Sequence, residues 1–203
     1  MKNSLILLFS LLLPLSGCKD NSFKISGKLN DPVKGEYLYI KEIKAEEIVT
    51  ADSVMLGDDG LFSFEGEISI PTFFMLTTTY ESFLTILAEP GENISVEAGY
   101  LSLNDPVSIK GSAGTEKMLE YNKALRGTIE KLMGLREIYM QNSDSPDLPS
   151  VISTIDSTAG SYLNELNAYT KKYIDENLTS LVSLVALYQQ VDPNVYVLNP
   201  VED

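Results

Sequence analysis

The stretch GSAGTEKMLEYNKALRGTIEKLMGLREIYMQN, residues 111–142, marks the point where the hydrophobic period of this chain changes. Its apolar and aromatic residues recur at spacings of three and four, or their sum, with charged residues between them: Met118, Tyr121, Leu125, Leu132, Leu135 and Tyr139. That spacing predicts an amphipathic helix. Thr115 can cap this helix, and Glu116 and Glu120 suit its positive end. Because the residues before Gly111 follow a different period, the stretch divides a β region from a helical one.

Short runs with a period of two fill residues 23–110. They are rich in β-branched and aromatic residues and are separated by breakers such as GDDG and EPGEN: FKISGKL, EYLYIKEI, ADSVML, GLFSFEGEI, TFFMLTTT, FLTILAE and NISVEA. About seven or eight strands at this spacing predict an antiparallel β-sandwich or an open barrel. The DDG at residues 58–60 resembles a calcium corner, but Asp-Gly between strands is a strong hairpin signal and the spaced acids of an EF-hand are missing. We therefore expect a hairpin turn there.

A second helix is predicted to begin at Ser150, after the break NSDSPDLP. It carries apolar residues and tyrosines at helical spacing: Ile152, Ile155, Ala159, Tyr162, Leu166, Tyr169 and Tyr173. The stripes of the first two helices face each other most simply in a helical hairpin. A tyrosine stripe is also compatible with sugar stacking or a cofactor, but strict helical spacing favours a place in the core or an interface.

A third helix is predicted after Asn177, with Thr179 and Ser180 as cap candidates. Its sequence, LVSLVALYQQ, is apolar around most of the circumference, so we expect it to be wedged between other elements. The sequence thus predicts an α+β fold with a β-sandwich domain over 23–110 and a three-helix region over 111–190. The prolines and acids of residues 191–203 predict a linker-like tail.

The amino-terminal stretch MKNSLILLFSLLLPLSGC has the three-part plan of a secretory signal peptide: a basic start, an apolar run over residues 5–15 and small residues at the end. The run has about half of the ~20 residues that a transmembrane helix needs. Its end, LSGC, resembles the lipobox of bacterial lipoproteins. That resemblance implies removal of residues 1–17 by cleavage between Gly17 and Cys18, and lipidation of Cys18. Residues 18–22 then form a lipidated tether, which makes the membrane a partner through the lipid anchor.

The residues after Cys18 bear on where such a lipoprotein resides. In enteric-type sorting, an aspartate directly after the cysteine retains a lipoprotein at the inner membrane, whereas this chain has Lys19. We therefore expect an outer-membrane lipoprotein of the cell envelope. A lysine followed by acids resembles a surface-export signal of Bacteroidota lipoproteins, but only Asp20 matches and Asn21 departs from it. The periplasmic face and the cell surface both stay open.

Composition excludes several classes of function. The chain has no histidine, which excludes serine triads with histidine, zincins and facial-triad iron sites. Its 29 acidic residues against 15 basic ones give a formal charge of −14, and no Lys/Arg cluster is visible, which argues against nucleic acid as a partner. We expect neither a metal ion nor a cofactor.

Carboxylates are the remaining candidates for catalysis, because two at the right separation suffice for glycoside hydrolysis. The nominal candidates lie on strand ends and turns: Glu65, Glu67, Glu81 and Glu89. Acids in such places are ordinarily solvated, and among 29 acidic residues pairs arise by chance. The sequence therefore predicts a chain that is not an enzyme and has no catalytic residue.

Six segments occur in an order that resembles a family: FKISGKL, GEYLYIKEI, IVTADSVMLGDDGLFSFEG, LAEPGENISVEA, IKGSAGTEKMLEY and ENLTSLVSLVALYQQ. They resemble the amino-terminal region of Bacteroidota lipoproteins whose carboxyl-terminal half is a thioredoxin-like domain of the thiol-disulfide oxidoreductase or peroxiredoxin-related type. The active site of that family is a CxxC motif, usually after a tryptophan. This chain has one cysteine and no tryptophan, so no redox residue is carried over.

The resemblance implies a lipid-anchored, non-catalytic accessory domain that works with a thioredoxin-like domain, attached or separate, and that lacks the redox domain itself. The linker-like tail favours a piece of a longer protein over a short relative. The alternative is a periplasmic or surface lipoprotein that binds a peptide, a glycan or a protein partner. The loops and edge strands of a sandwich and the tyrosines favour this alternative. The sequence carries no indication of oligomeric state.

Overall fold

The computed structural model describes residues 21–193 and 195–198. Eight strands come first in this part of the chain: β1 Ser22–Asn30, β2 Tyr37–Ile43, β3 Ile48–Met55, β4 Leu61–Glu67, β5 Thr72–Thr77, β6 Phe83–Ala88, β7 Asn93–Gly99 and β8 Ser108–Lys110. Three helices and two short strands follow: α1 Ala113–Gln141, α2 Leu148–Glu176, α3 Val182–Leu187, β9 Gln190–Asp192 and β10 Val195–Tyr196. The predicted α+β class, with strands before helices, is confirmed.

The eight strands form two open four-stranded sheets that share one core. The first sheet has the order β4-β1-β7-β8 and the second has the order β3-β2-β5-β6. The strands pair antiparallel, except that β1 and β7 are parallel. Phe23 on β1 stacks on Phe74 on β5, with ring centroids 4.7 Å apart, so aromatic packing joins the two sheets across the core.

Burial along the strands explains the sequence pattern. In β4, Phe62 and Phe64 are buried and their neighbours are exposed, because one face of the strand packs on the core. In β6, by contrast, consecutive residues are buried. Ile86 faces the sandwich core, whereas Leu87 belongs to a second core that the helices form. The continuous apolar run of β6 therefore reflects a strand that is covered on both faces.

The turn at residues 58–60 does not close a hairpin, so that prediction is wrong. The strands that it joins, β3 and β4, lie in different sheets. Gly60 has a φ of 65°, and a Cβ at this position would lie 2.1 Å from the carbonyl oxygen of Leu29. The side chain of Asp59 accepts a hydrogen bond from the backbone N–H of Leu61. The local signal correctly marks a turn, but a turn signal does not specify which strands pair.

Helices α1 and α2 form the predicted helical hairpin. The first turns of α1 are buried in the second core, where Met118 and Tyr121 are 3% and 1% exposed. Burial decreases toward the far end, where Tyr139 is 45% exposed. The hairpin therefore packs on the sheet at its base and projects from it at its tip.

The helix starts differ from the predicted ones. The N-cap of α1 is Ser112, whose hydroxyl accepts a hydrogen bond from the backbone N–H of Thr115. The predicted cap at Thr115 is therefore wrong, because Thr115 lies inside the first turn. Helix α2 begins at Leu148, just before the predicted Ser150, and its first turn includes a proline, which needs no N–H partner there.

Helix α3 is shorter than predicted, since it ends at Leu187 and its N-cap position is Leu181 rather than Thr179 or Ser180. The hydroxyl of Ser180 still accepts a hydrogen bond from the backbone N–H of Val182 at 3.4 Å. As predicted, the helix is wedged between other elements, because it packs against both α1 and α2.

The chain after α3 contains a short hairpin. Strands β9 and β10 pair antiparallel; β9 begins at Gln190, the last residue of the predicted helical region, and the rest of the hairpin lies in the stretch expected to be linker-like, residues 191–203. Val197 is buried in the helical core, and its carbonyl oxygen accepts a hydrogen bond from the side-chain amide of Asn167 at 3.3 Å. The described part of this stretch thus packs on the helices; residues 194 and 199–203 lie outside the described residues.

The approach of β1 to β7 leaves no room for a side chain at Gly27. A Cβ there would lie 1.8 Å from the carbonyl oxygen of Val96, its partner in the parallel register. We expect Gly27→Ala to lower the free energy of unfolding by about 2–3 kcal/mol, because the strands must separate. Gly134→Ala, in the open middle of α1, is the matched control and is expected to raise it by about 0.5–1 kcal/mol. Denaturant unfolding followed by circular dichroism measures both, and equal effects would contradict the packing argument.

Candidate functional site

Helix α1 meets the second sheet at β6 through a buried hydrogen-bond cluster of Leu87, Ser112 and Thr115, which we call the seam. All three residues are 0% exposed. The hydroxyl of Ser112 donates to the carbonyl oxygen of Leu87 at 2.7 Å, and the backbone N–H of Leu87 donates to the hydroxyl oxygen of Thr115 at 3.1 Å. Because β6 is the last strand of its sheet, the seam satisfies backbone groups that a neighbouring strand would otherwise pair.

Two glycines around the seam allow this close approach. Gly111 has a φ of 86°, and a Cβ there would lie 2.1 Å from the carbonyl oxygen of Asn93. A Cβ at Gly114 would lie 2.8 Å from a side-chain carbon of Leu87. Sequence reasoning missed the seam, although a serine directly before an apolar helical period, here Ser112, is a signal for an N-cap.

Three tyrosines form a cluster where the base of α1 meets the end of α2. The ring centroids of Tyr121 and Tyr173 lie 4.9 Å apart, and that of Tyr169 lies 6.0 Å from Tyr121. The hydroxyl of Tyr121 shares a hydrogen bond of 2.9 Å with the hydroxyl of Thr170. The prediction that the tyrosine stripe packs in a core or interface is confirmed for these residues.

The hydroxyl of Tyr173 differs from that of Tyr121. The residue is 6% exposed, and its buried hydroxyl has no hydrogen-bond partner among the described residues. Burial, with smaller effects of Tyr169 and Glu120, raises the pKa of Tyr173 to about 12. The group is therefore a neutral donor at physiological pH. A buried hydroxyl without a partner costs about 1–3 kcal/mol, so this one calls for an explanation.

Tyr173 lies on the floor of a groove of about 320 Å³ between the start of α1 and the end of α2, which we call the tyrosine groove. Its lining is mostly polar and charged: Lys117, Glu120, Tyr169, Lys172, Tyr173, Glu176 and Asn177. Asn177 closes the floor, since its side chain accepts from the amine of Lys117 at 2.7 Å and donates to the carbonyl oxygen of Tyr173 at 2.8 Å. Two lysines and two glutamates leave the lining without net charge.

Of the four nominal carboxylates, Glu65 and Glu67 line a cleft of about 340 Å³ to which strands of both sheets contribute. The carboxylate of Glu65 forms an exposed ion pair with Lys24 at 2.6 Å. Glu81 and Glu89 are exposed elsewhere and do not line this cleft. The structure thus brings together two of the four, both on strand β4.

The predicted lipidation and cleavage residues, Cys18 and Gly17, lie outside the described residues. Within residues 21–193 and 195–198, no group of three or more histidine, cysteine, aspartate or glutamate side chains is arranged to hold a metal ion. Among the helices of that same part, none is long and apolar enough to cross a membrane.

Replacement of Thr115 by valine tests the seam. The variant keeps the shape of the side chain but leaves the backbone N–H of Leu87 without its acceptor, so we expect the free energy of unfolding to fall by about 1–3 kcal/mol. Thr128→Val is the matched control, because the hydroxyl of Thr128 bonds only to a carbonyl of its own helix, and a change within about 0.5 kcal/mol is expected. Faster amide exchange at Leu87 would locate the effect; an unchanged rate would contradict it.

The raised pKa of Tyr173 predicts a loss of stability in alkali. The folded protein favours the neutral phenol, whereas the unfolded chain ionises near the ordinary value of 10.0, so stability is lost as pH rises from 10 toward about 12. Removing the phenol in Tyr173→Phe should make the decline in unfolding free energy over this range shallower. Tyrosinate absorbance and denaturant unfolding measure ionisation and stability. Identical slopes for the two proteins would contradict the prediction.

Comparison with known proteins finds a family model that matches the part of the chain that forms the sandwich. Residues 23–118 match the family model described as a domain of unknown function, DUF4369. No curated protein and no solved structure matches the chain. The matched segment extends past the strands to include Ser112 and Thr115, so it contains every residue of the seam. The similarity to DUF4369 thus covers the sandwich and the first turns of α1.

Proposed function

We propose that this chain is a lipid-anchored, non-catalytic accessory module of the cell envelope that works with a thioredoxin-like thiol-disulfide oxidoreductase. The LSGC sequence that ends at Cys18 supports the lipid anchor. The order of the segments that resemble Bacteroidota thioredoxin-like lipoproteins supports the redox connection. Most of those segments lie within residues 23–118, the part that matches DUF4369.

The observation that carries an accessory role is the seam. It ties the start of α1 to the backbone of β6 with buried hydrogen bonds, so the helical hairpin has a fixed direction relative to the sandwich. A module that holds another domain or its substrate at a set distance from a membrane needs such a fixed direction. Lys19 after the lipidated cysteine favours the outer membrane, with the module on the periplasmic face or at the surface.

Replacement of Cys18 by serine tests this proposal in cells that lack the native gene. The wild-type chain should incorporate labelled palmitate and partition into detergent, whereas Cys18→Ser should persist as an unlipidated precursor with its signal peptide. Deletion of the gene for this chain should change the oxidised fraction of the CxxC pair in a thioredoxin-like envelope protein. Thiol alkylation measures that fraction. The wild-type chain should restore it, and the Cys18→Ser chain should not.

Two outcomes would contradict the proposal separately. Normal maturation of the Cys18→Ser chain would contradict the proposed lipid anchor. An unchanged thiol state after deletion of the gene would contradict the proposed redox connection. Thr115→Val is a useful third arm, because it keeps the anchor and weakens only the seam. Restoration of the thiol state by a seam variant as completely as by the wild type would contradict the positioning role.

A second candidate function is a binding lipoprotein for a glycan, a peptide or a protein partner. The tyrosine groove favours it, because the groove combines the partly exposed aromatic ring of Tyr169 and several polar side chains in one concave surface. This function and the accessory role are compatible, since a module that positions a redox domain can also hold a ligand.

A further inference from the structure

We propose that the open half of the helical hairpin, residues 126–165, is the surface through which two copies of this chain form a weak two-fold dimer. In this dimer the open halves of two hairpins lie antiparallel as a four-helix bundle, and the two sandwiches lie at opposite ends. The dimer depends neither on the lipid anchor, nor on the redox connection, nor on the tyrosine groove. Its absence would therefore leave both candidate functions in place.

The two halves of the hairpin differ in burial. At the base, Leu125 and Leu166 are buried in the second core together with Leu87 and residues of α3. Residues 126–165 are all described, and none of them is buried. The helices owe most of their stability in water to the packing of an apolar face. The open half nevertheless carries many large apolar side chains: Ile129, Leu132, Met133, Leu135, Ile138, Tyr139, Met140, Leu148, Val151, Ile152, Ile155, Tyr162 and Leu163.

The rows of residues that are buried at the base continue along the open half. On α1, the row of Met118 and Leu125 continues at spacings of three and four with Ile129, Met133, Arg136 and Met140. On α2, the row that ends in the buried Leu166 and Thr170 begins at the same spacings with Ile152, Asp156, Ala159 and Leu163. Met133 and Met140 are 62% and 64% exposed. The face that packs on other elements at the base thus extends without cover toward the tip.

The shape of the chain favours a second hairpin as the cover. Strand β6 and helix α3 pack against α1 at the base, so a partner on this face reaches only the open half. Two hairpins that overlap antiparallel, tip beside tip, meet this condition and form a four-helix bundle. A two-fold axis makes each copy contribute the same face. Met133 lies in the middle of residues 126–141, the open part of α1, so this overlap puts the axis near Met133.

The charges of the open half are compatible with contact between identical copies. The chain carries a formal charge of −14, so two copies repel each other over most of their surface. The open part of α1 carries three basic residues and two acidic ones, so it lacks that acidic excess. The two rows contain one charge of each sign, Arg136 and Asp156, and neither has an ion-pair partner among the described residues. Two copies therefore bring a balanced set of charges into the contact.

The size of the face predicts a weak dimer. The open part of α1 is about 24 Å long at 1.5 Å per residue, and two helices side by side are about 20 Å wide. Each copy therefore contributes about 500 Å², and the dimer buries about 1,000 Å² in total, near the lower limit for a specific interface. We expect a dissociation constant of roughly 10–100 μM.

Sedimentation velocity of the chain from Lys19 to Asp203, which contains every described residue, tests the dimer. Between about 1 and 500 μM the wild type should change from monomer to dimer. Met133→Glu should raise the dissociation constant at least about tenfold, because it places like charges of both copies near the axis. Met55→Glu is the matched control, since Met55 is 61% exposed on β3 and its replacement changes the net charge equally. It should dimerise as the wild type does, and circular dichroism should show both variants folded.

Cross-linking tests the position of the axis. Cys18 is the only cysteine of the chain, so a cysteine introduced into the chain from Lys19 onward is unique. Met133→Cys should form a disulfide between two copies when oxidised with copper phenanthroline, and Met55→Cys should not.

Several outcomes would overturn the proposal. These are a wild-type chain that stays monomeric at 500 μM, wild-type dimerisation of Met133→Glu, and cross-linking of Met55→Cys as efficient as that of Met133→Cys. A chain that stays monomeric but binds vesicles of phosphatidylethanolamine and phosphatidylglycerol through the open half would also overturn it, because a lipid surface would then cover this face.

Discussion

The backbone of one edge strand, β6, sets the constraint on which the rest of the structure depends. An edge strand has N–H and C=O groups without a neighbouring strand, and those of Leu87 are buried. Ser112 and Thr115 satisfy them with side-chain hydroxyls, and Ser112 also caps the helix that begins there. One small cluster therefore protects a sheet edge, starts a helix and fixes the direction of that helix.

The tyrosine groove depends on this cluster, although the two share no residue. Lys117 and Tyr121 lie in the first turns of α1, directly after Thr115, and the groove forms where those turns meet the end of α2. Asn177 completes the connection, since it bridges Lys117 and the backbone of Tyr173. A helix that started elsewhere or at another angle would not bring these side chains together.

The two functional proposals use different parts of the same module. An accessory role uses the rigid connection between the sandwich and the hairpin, and binding of a glycan, a peptide or a protein partner uses the groove at the base of that hairpin. The DUF4369 match ends at residue 118, so it contains the seam and Lys117 but not the three tyrosines. The rigid connection thus belongs to the matched domain, while most of the groove is supplied by the helices that follow it.

The order of elements, the strands and the helical hairpin could be predicted from the sequence by itself, because periods of two and of 3.6 residues depend on local geometry. The sequence also contains the residues of the seam and its two glycines, Gly111 and Gly114. However, the residues that they contact, Asn93 and Leu87, are distant along the chain. The parallel pairing of β1 with β7, the crossing from one sheet to the other at residues 58–60 and the unpaired hydroxyl of Tyr173 were decided only by the tertiary structure. Each of these depends on which distant segments meet, and no local pattern encodes that choice.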